Sequence, residues 1–163
     1  MVGAFAVGKT SLVSRFVHQM FTEKYLTTIG VKIDKKSIDL DGQHIYLMLW
    51  DLAGEDDFQS VRMSYLRGAH GYFLVIDGTR KETLETAIEL QQRVEKEIGE
   101  APFLALINKS DIADQWQLTS SDLERLVGLG WNILKTSAKD DLGVEDAFKT
   151  LTGKIMAGPK TTS

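Results

Sequence analysis

Cysteine is absent from the 163-residue sequence, which removes disulfides, thiolate metal sites, a cysteine nucleophile and any C-terminal lipid anchor attached through that residue. Long hydrophobic runs are absent too. No stretch approaches the roughly 20 apolar residues that a bilayer-spanning helix needs, and the N-terminus lacks the charged-then-apolar order of a secretory signal. Nor is there an excess of positive charge: 19 Lys and Arg against 23 Asp and Glu leave a net charge of −4. That balance argues against a nucleic-acid binder, which needs a basic face for phosphate contacts. A soluble cytoplasmic protein is expected. The rest of the composition, 43% hydrophobic and 26% charged, is that of an ordinary globular protein. The length suits one domain over residues 1–163 with a single core, without repeats or low-complexity segments.

Apolar runs bounded by turns alternate with helical periodicity, the signature of a parallel α/β sheet. A first helix from Gly8–Lys9 buries Leu12, Val13, Phe16, Val17 and Met20, spaced three or four apart. Val31 to Leu40 and His44 to Asp51 read as strands joined by Asp41-Gly42, a pair suited to the positive φ angles of a type I′ turn. Tyr72 to Asp77 and Phe103 to Asn108 are near-continuous apolar runs, as strands covered on both faces require. Between them Leu84, Ala87, Ile88, Gln91, Val94 and Ile98 keep helical spacing up to a stop at Gly99. Ser121 and Glu124 predict a capping box opening a fourth helix, and a last helix covers about Val144 to Met156.

Three motifs carry chemistry. Gly3-Ala4-Phe5-Ala6-Val7-Gly8-Lys9-Thr10 matches G-x-x-x-x-G-K-[ST], in which the backbone curls so that successive N–H groups face a phosphate. The following helix adds its positive N-terminal end, Lys9 neutralises the terminal phosphates, and the Thr10 hydroxyl can ligate Mg²⁺. Asp51-Leu52-Ala53-Gly54 ends the strand Ile45 to Trp50. There Asp51 can hold Mg²⁺ through its water shell and the Gly54 N–H can touch a γ-phosphate, although Asp-x-x-Gly alone reads as a strand-ending turn. Asn108-Lys109-Ser110-Asp111, with Thr136-Ser137-Ala138-Lys139, suits a guanine base. The Asp111 carboxylate can accept from N1–H and the 2-amino group, whereas adenine leaves that charge unpaired. Lys109 can lie along the base, Asn108 can tie loops together, and the Ala138 N–H can donate to the guanine oxygen. Each motif follows a strand, where ligands of α/β sheets bind.

With these motifs in this order, the sequence resembles the Ras superfamily of small GTPases over nearly its whole length, and its Rab-like branch most. Further matches are Glu23-Lys24-Tyr25-Leu26-Thr27-Thr28-Ile29-Gly30-Val31, Trp50-Asp51-Leu52-Ala53-Gly54 and Tyr65-Leu66-Arg67-Gly68-Ala69-His70-Gly71. The resemblance implies a P-loop G domain: a mostly parallel six-stranded sheet with one antiparallel edge strand and helices on both faces. It implies GTP or GDP held with Mg²⁺, and hydrolysis that releases two switch loops. Nucleotide contacts would come from Gly3, Ala6, Val7, Gly8, Lys9, Thr10, Ser11, Phe21, Thr28, Gly54, Asn108, Lys109, Asp111, Ser137, Ala138 and Lys139. Thr10, Thr28 and Asp51 would serve the metal, and Lys9, Thr28, Gly54 and Glu55 the reaction. Effector and regulatory proteins would read Ile29, Ile33, Trp50, Tyr65 and the switch loops, although Trp50 could equally be core.

Three departures from the family pattern stand out. Glu55 replaces the glutamine that orients the attacking water; it can accept from water but cannot donate to a phosphoryl oxygen, and it adds negative charge. Slow or pH-dependent hydrolysis is expected, and a raised pKa would make Glu55 a base or a neutral donor; equally, Glu55 could point to solvent while another group positions the water. Phe5 and Ala6 stand where the family carries small residues, often glycine, so a bulky ring beside the γ-phosphate obstructs an arginine supplied by an activating protein. Arg62 and Arg67 could approach in its place. Finally, only Met1 and Val2 precede Gly3, so the first strand is either very short or incomplete, and no lipid anchor is expected at the other end. Two other readings stay open: a nucleotide-binding pseudo-GTPase acting as an interaction module, and a P-loop ATPase or small-molecule kinase, against which Asp111 speaks.

Overall fold

A computed structural model describes residues 1–23, 30–53 and 63–158. Its strands are β1 (Val2–Gly3), β2 (Val31–Leu40), β3 (Gln43–Leu52), β4 (Tyr72–Asp77), β5 (Phe103–Asn108) and β6 (Ile133–Lys135). Its helices are α1 (Lys9–His18), α2 (Glu82–Ile98), α3 (Ser120–Gly128) and α4 (Val144–Ala157). None of the described helices is long and apolar enough to cross a membrane.

The central strands are buried throughout β4 and nearly so in β5, because their alternate side chains feed two separate cores. Phe73 and Val75 join Leu104 and Leu106 under α1 and α4, where Phe16 stacks on Phe148 with ring centroids 3.8 Å apart. Leu74 and Ile76 join Ala105 and Ile107 under α2, with Leu126 of α3 and Trp131. The α/β architecture with helices on both faces is therefore a consequence of apolar period-two strands that are apolar on both sides.

The six strands pair as four plus two. A parallel sheet runs β1-β4-β5-β6, and β2-β3 form an antiparallel pair. β1 contributes two residues to its ladder with β4, Val2 opposite Leu74 and Gly3 opposite Val75. A hydrogen bond from the Met1 amino group to the Trp50 carbonyl (2.9 Å) links the two sheets there. The β2–β3 turn is as the residues dictate: Asp41 and Gly42 both have positive φ, 51° and 77°, and Leu40 pairs with Gln43.

Two local expectations are corrected. α1 stops at His18 because Gln19 turns into the left-handed region (φ 55°), so Met20 leaves the apolar stripe and is 66% exposed. The capping box of α3 is formed by Thr119 and Asp122, not by Ser121 and Glu124. Lys81 Nζ sits 3.1 Å from Asp122, a tertiary contact that favours the earlier register. Thr119→Ala is expected to lower stability by about 1 kcal/mol and Ser121→Ala by less than about 0.5 kcal/mol, measured by urea unfolding.

Candidate functional site

The loop between β1 and α1 wraps in two left-handed steps, at Ala6 (φ 59°) and Gly8 (φ 104°). Gly8 has no alternative: a Cβ there would stand 2.2 Å from Asn108 Nδ2. Val7 is fully buried and roots the loop in the core. Lys9, only 6% exposed, curls back so that its ammonium donates to the carbonyls of Gly3 (3.0 Å) and Ala4 (2.8 Å). The loop is joined to the end of β5, about 100 residues away in sequence. Asn108 Nδ2 donates to Val7 O at 3.0 Å, and Lys109 Nζ to Ala6 O at 3.3 Å.

The loop after β5 is itself braced. Asn108 Oδ1 accepts from the Thr136 hydroxyl (3.2 Å), and the buried Ser137 hydroxyl donates to Asp111 Oδ1 (2.8 Å) while accepting from the Asp140 N–H (3.0 Å). Trp116 Nε1 donates to Lys109 O (2.9 Å), holding a residue whose own φ is 69°. Arg15 of α1 reaches over to Ala138 O (2.7 Å) and Lys139 O (2.8 Å). Asp77, fully buried at the end of β4, takes the Lys109 ammonium on Oδ2 at 2.6 Å. Burial alone would raise the Asp77 pKa, but hydrogen bonds from Lys109, Thr79 and Arg80 outweigh it and hold the carboxyl below its usual range.

A cavity of about 420 Å³ opens between these loops. Of the residues singled out in the sequence, Ala6, Gly8, Lys9, Thr10, Ser11, Phe21, Asn108, Lys109, Asp111, Ala138 and Lys139 line it, and so does Phe5. Gly3, Val7 and Ser137 stand behind that lining, as loop root, core anchor and Asp111 partner. Lys139 Nζ lies 3.4 Å from Glu23 near the Phe21 side of the cavity. A larger cavity of about 530 Å³ runs beside β3, β4 and α4. Its walls are mainly apolar.

Asp51, 1% exposed at the end of β3, accepts the Thr10 hydroxyl on Oδ2 at 2.5 Å. Its Oδ1 is buried without a hydrogen-bond partner among the described residues. An orphaned carboxylate oxygen beside a threonine hydroxyl is a hard-oxygen donor set that fits Mg²⁺. No group of three acidic, histidine or cysteine side chains gathers among the described residues, so the ion would need ligand oxygens and water as well.

Ile33 and Trp50 face each other across the β2–β3 ladder, and the Trp50 and Tyr65 rings lie 6.2 Å apart. Ile33 is 45% and Trp50 40% exposed, which places Trp50 at the surface and not in the core. Arg67 is engaged elsewhere, with Nε and Nη2 both 2.8 Å from Glu97 of α2. Thr28, Ile29, Gly54, Glu55 and Arg62 lie outside the described residues. Arg15 and Asp77 were not signalled by sequence, since neither belongs to a motif and their partners lie 123 and 32 residues away.

Residues 1–157 match the Ras family. The chain is 35% identical over 158 residues to the Ras-related protein RABD1 of Arabidopsis thaliana, covering 95% of this chain and 77% of that protein.

Proposed function

This chain belongs to the Ras family, on its Rab-like side, and from that premise we propose that it is a cytoplasmic guanine-nucleotide switch that binds GTP or GDP with Mg²⁺ and hydrolyses GTP slowly. The observation that carries the reading is the direct bonding of two distant motifs around one cavity: Asn108 and Lys109 hold the carbonyls of Val7 and Ala6. A ligand in that cavity meets phosphate-binding amides and a guanine-selecting carboxylate together.

Asp111 selects the base, with one carboxylate oxygen already fixed by Ser137 at 2.8 Å. Phe21 packs against it, and the Ala138 N–H donates to the guanine oxygen on a loop held by Arg15. Lys9 balances the charge of the terminal phosphates, together with the positive end of α1. Thr10, Asp51 and Thr28 hold Mg²⁺, which supplies charge neutralisation at the phosphates when bound. Gly54 and Thr28 sense the γ-phosphate, so its loss releases the switch loops, and effector and regulatory proteins read the state through those loops, Ile29, and Ile33, Trp50 and Tyr65 beside them.

Glu55 sets the rate in this reading. Replacing it by glutamine adds a donor and removes a negative charge, and single donors to a developing oxyanion are worth about 10²–10³ in rate. Glu55→Gln is therefore expected to raise the single-turnover rate of GTP hydrolysis at least about tenfold; a rate within about twofold of the parent removes Glu55 from the mechanism. Phe5 on the cavity wall favours the second reading, a pseudo-GTPase that retains nucleotide without turnover. Phosphate release from Mg²⁺ and GTP by the purified chain separates the two.

A further inference from the structure

Three successive carbonyl groups of the phosphate loop are each held from behind by a side chain of another segment. Asn108 donates to Val7 O, Lys109 to Ala6 O, and the Arg80 guanidinium to Phe5 O at 2.6 Å. In a trans peptide the C=O of one residue and the N–H of the next point in opposite directions in one plane. Fixing the oxygens of Phe5, Ala6 and Val7 therefore aims the N–H groups of Ala6, Val7 and Gly8 the other way. With left-handed φ at Ala6 and Gly8, such a run makes a concave nest of amides that holds an anion. Asn108 and Lys109 come from a motif already assigned; Arg80 comes from none.

We propose that Arg80 is a positioning residue for the terminal phosphates, aiming the Ala6 amide by holding the Phe5 carbonyl. The proposal rests on the guanine-nucleotide reading. The contacts of Arg80 are to the Phe5 carbonyl and Asp77, so it acts through the loop. Its own place is set by Asp77. Arg80 Nε lies 3.0 Å from Asp77 Oδ2, the oxygen that also receives Lys109, while Oδ1 accepts the Thr79 N–H (2.9 Å) and hydroxyl (2.7 Å). One buried carboxylate thus orients two of the three groups that pin the loop. The job needs a guanidinium: Nε engages Asp77 while Nη2 engages Phe5 O, and the compact ammonium of lysine has no such fork.

The test compares GDP with GMP, which lacks the β-phosphate that the nest would hold, by titration calorimetry. Arg80→Ala is expected to weaken GDP binding about tenfold, the scale of one charge-assisted hydrogen bond, and GMP binding by less than about twofold. Arg80→Lys should behave like Arg80→Ala, and Arg67→Ala, an exposed arginine paired with Glu97, like the parent. Equal losses for GDP and GMP, or full recovery by lysine, overturn the assignment. In the nucleotide-free chain, the Ala6 amide resonance should shift and broaden in Arg80→Ala while that of Ala138 stays in place; an unmoved Ala6 amide also overturns it. A parent chain that binds GDP no more tightly than GMP instead defeats the nucleotide reading, and the Ala6 resonance still decides whether the pin exists.

Discussion

Asp111→Ala is expected to weaken GDP binding at least about 100-fold and to leave the much weaker binding of ADP nearly unchanged. The carboxylate can accept two hydrogen bonds from guanine, and hydrogen bonds to a charged group contribute about 1.5–3 kcal/mol each. Two of them amount to about 3–6 kcal/mol, and each 1.4 kcal/mol is about tenfold in affinity. Part of the loss could come from freeing Ser137, whose hydroxyl donates to Asp111 at 2.8 Å. Ser137→Ala isolates that part, and should weaken GDP binding less than Asp111→Ala does, because it removes one hydrogen bond to the carboxylate and leaves both bonds to the base. Calorimetric titration of both variants with GDP and ADP measures the difference. A loss below tenfold in Asp111→Ala, or equal losses for the two diphosphates, means that Asp111 does not read the base.

Gly8→Ala is expected to destabilise the fold by about 2–4 kcal/mol and to reduce GDP binding more than about 100-fold, effects of the size attached to strained backbone and broken buried networks. Two costs coincide at this position. The φ of 104° is one that a side chain rarely tolerates. The added Cβ would also stand 2.2 Å from Asn108 Nδ2, and Asn108 is 2% exposed and bonded to both Val7 and Thr136. Moving it away unties the phosphate loop from the base loop, so stability and binding fall together. Gly128→Ala makes the control: no atom lies within 4 Å of its added Cβ, and replacing a helical glycine there should stabilise by up to about 1 kcal/mol. Urea unfolding of both variants tests the contrast. A parent-like midpoint in Gly8→Ala contradicts the close approach of Asn108.

What the sequence disclosed depended on whether the cause was local. β4 and β5 are legible residue for residue because a strand buried on both faces is a continuous apolar run. Asp41-Gly42 is legible because a type I′ turn uses two positive φ angles. The sequence places the α3 cap two residues late: Thr119 and Ser121 both begin capping patterns, and the contact of Asp122 with Lys81 is invisible along the chain. Met20 kept the apolar spacing but fell beyond a helix end made by Gln19, which no glycine marked. The motif residues stood out because their spacing is part of their chemistry. Arg15, Asp77 and Arg80 did not, since each acts on backbone carbonyls or on other side chains of distant segments, and such contacts leave no pattern of residue types.

Guanine selectivity in the cavity shared by the phosphate loop and the base loop is tested most directly by competition: the purified chain is loaded with fluorescent GDP in the presence of Mg²⁺, and unlabelled GTP and ATP are titrated against it. GTP is expected to displace the probe at concentrations at least about 1,000-fold lower than ATP, within the 10⁴–10⁵ limit reached when a site hydrogen-bonds what a competitor lacks. Displacement by ATP at the same concentrations as GTP would contradict the account.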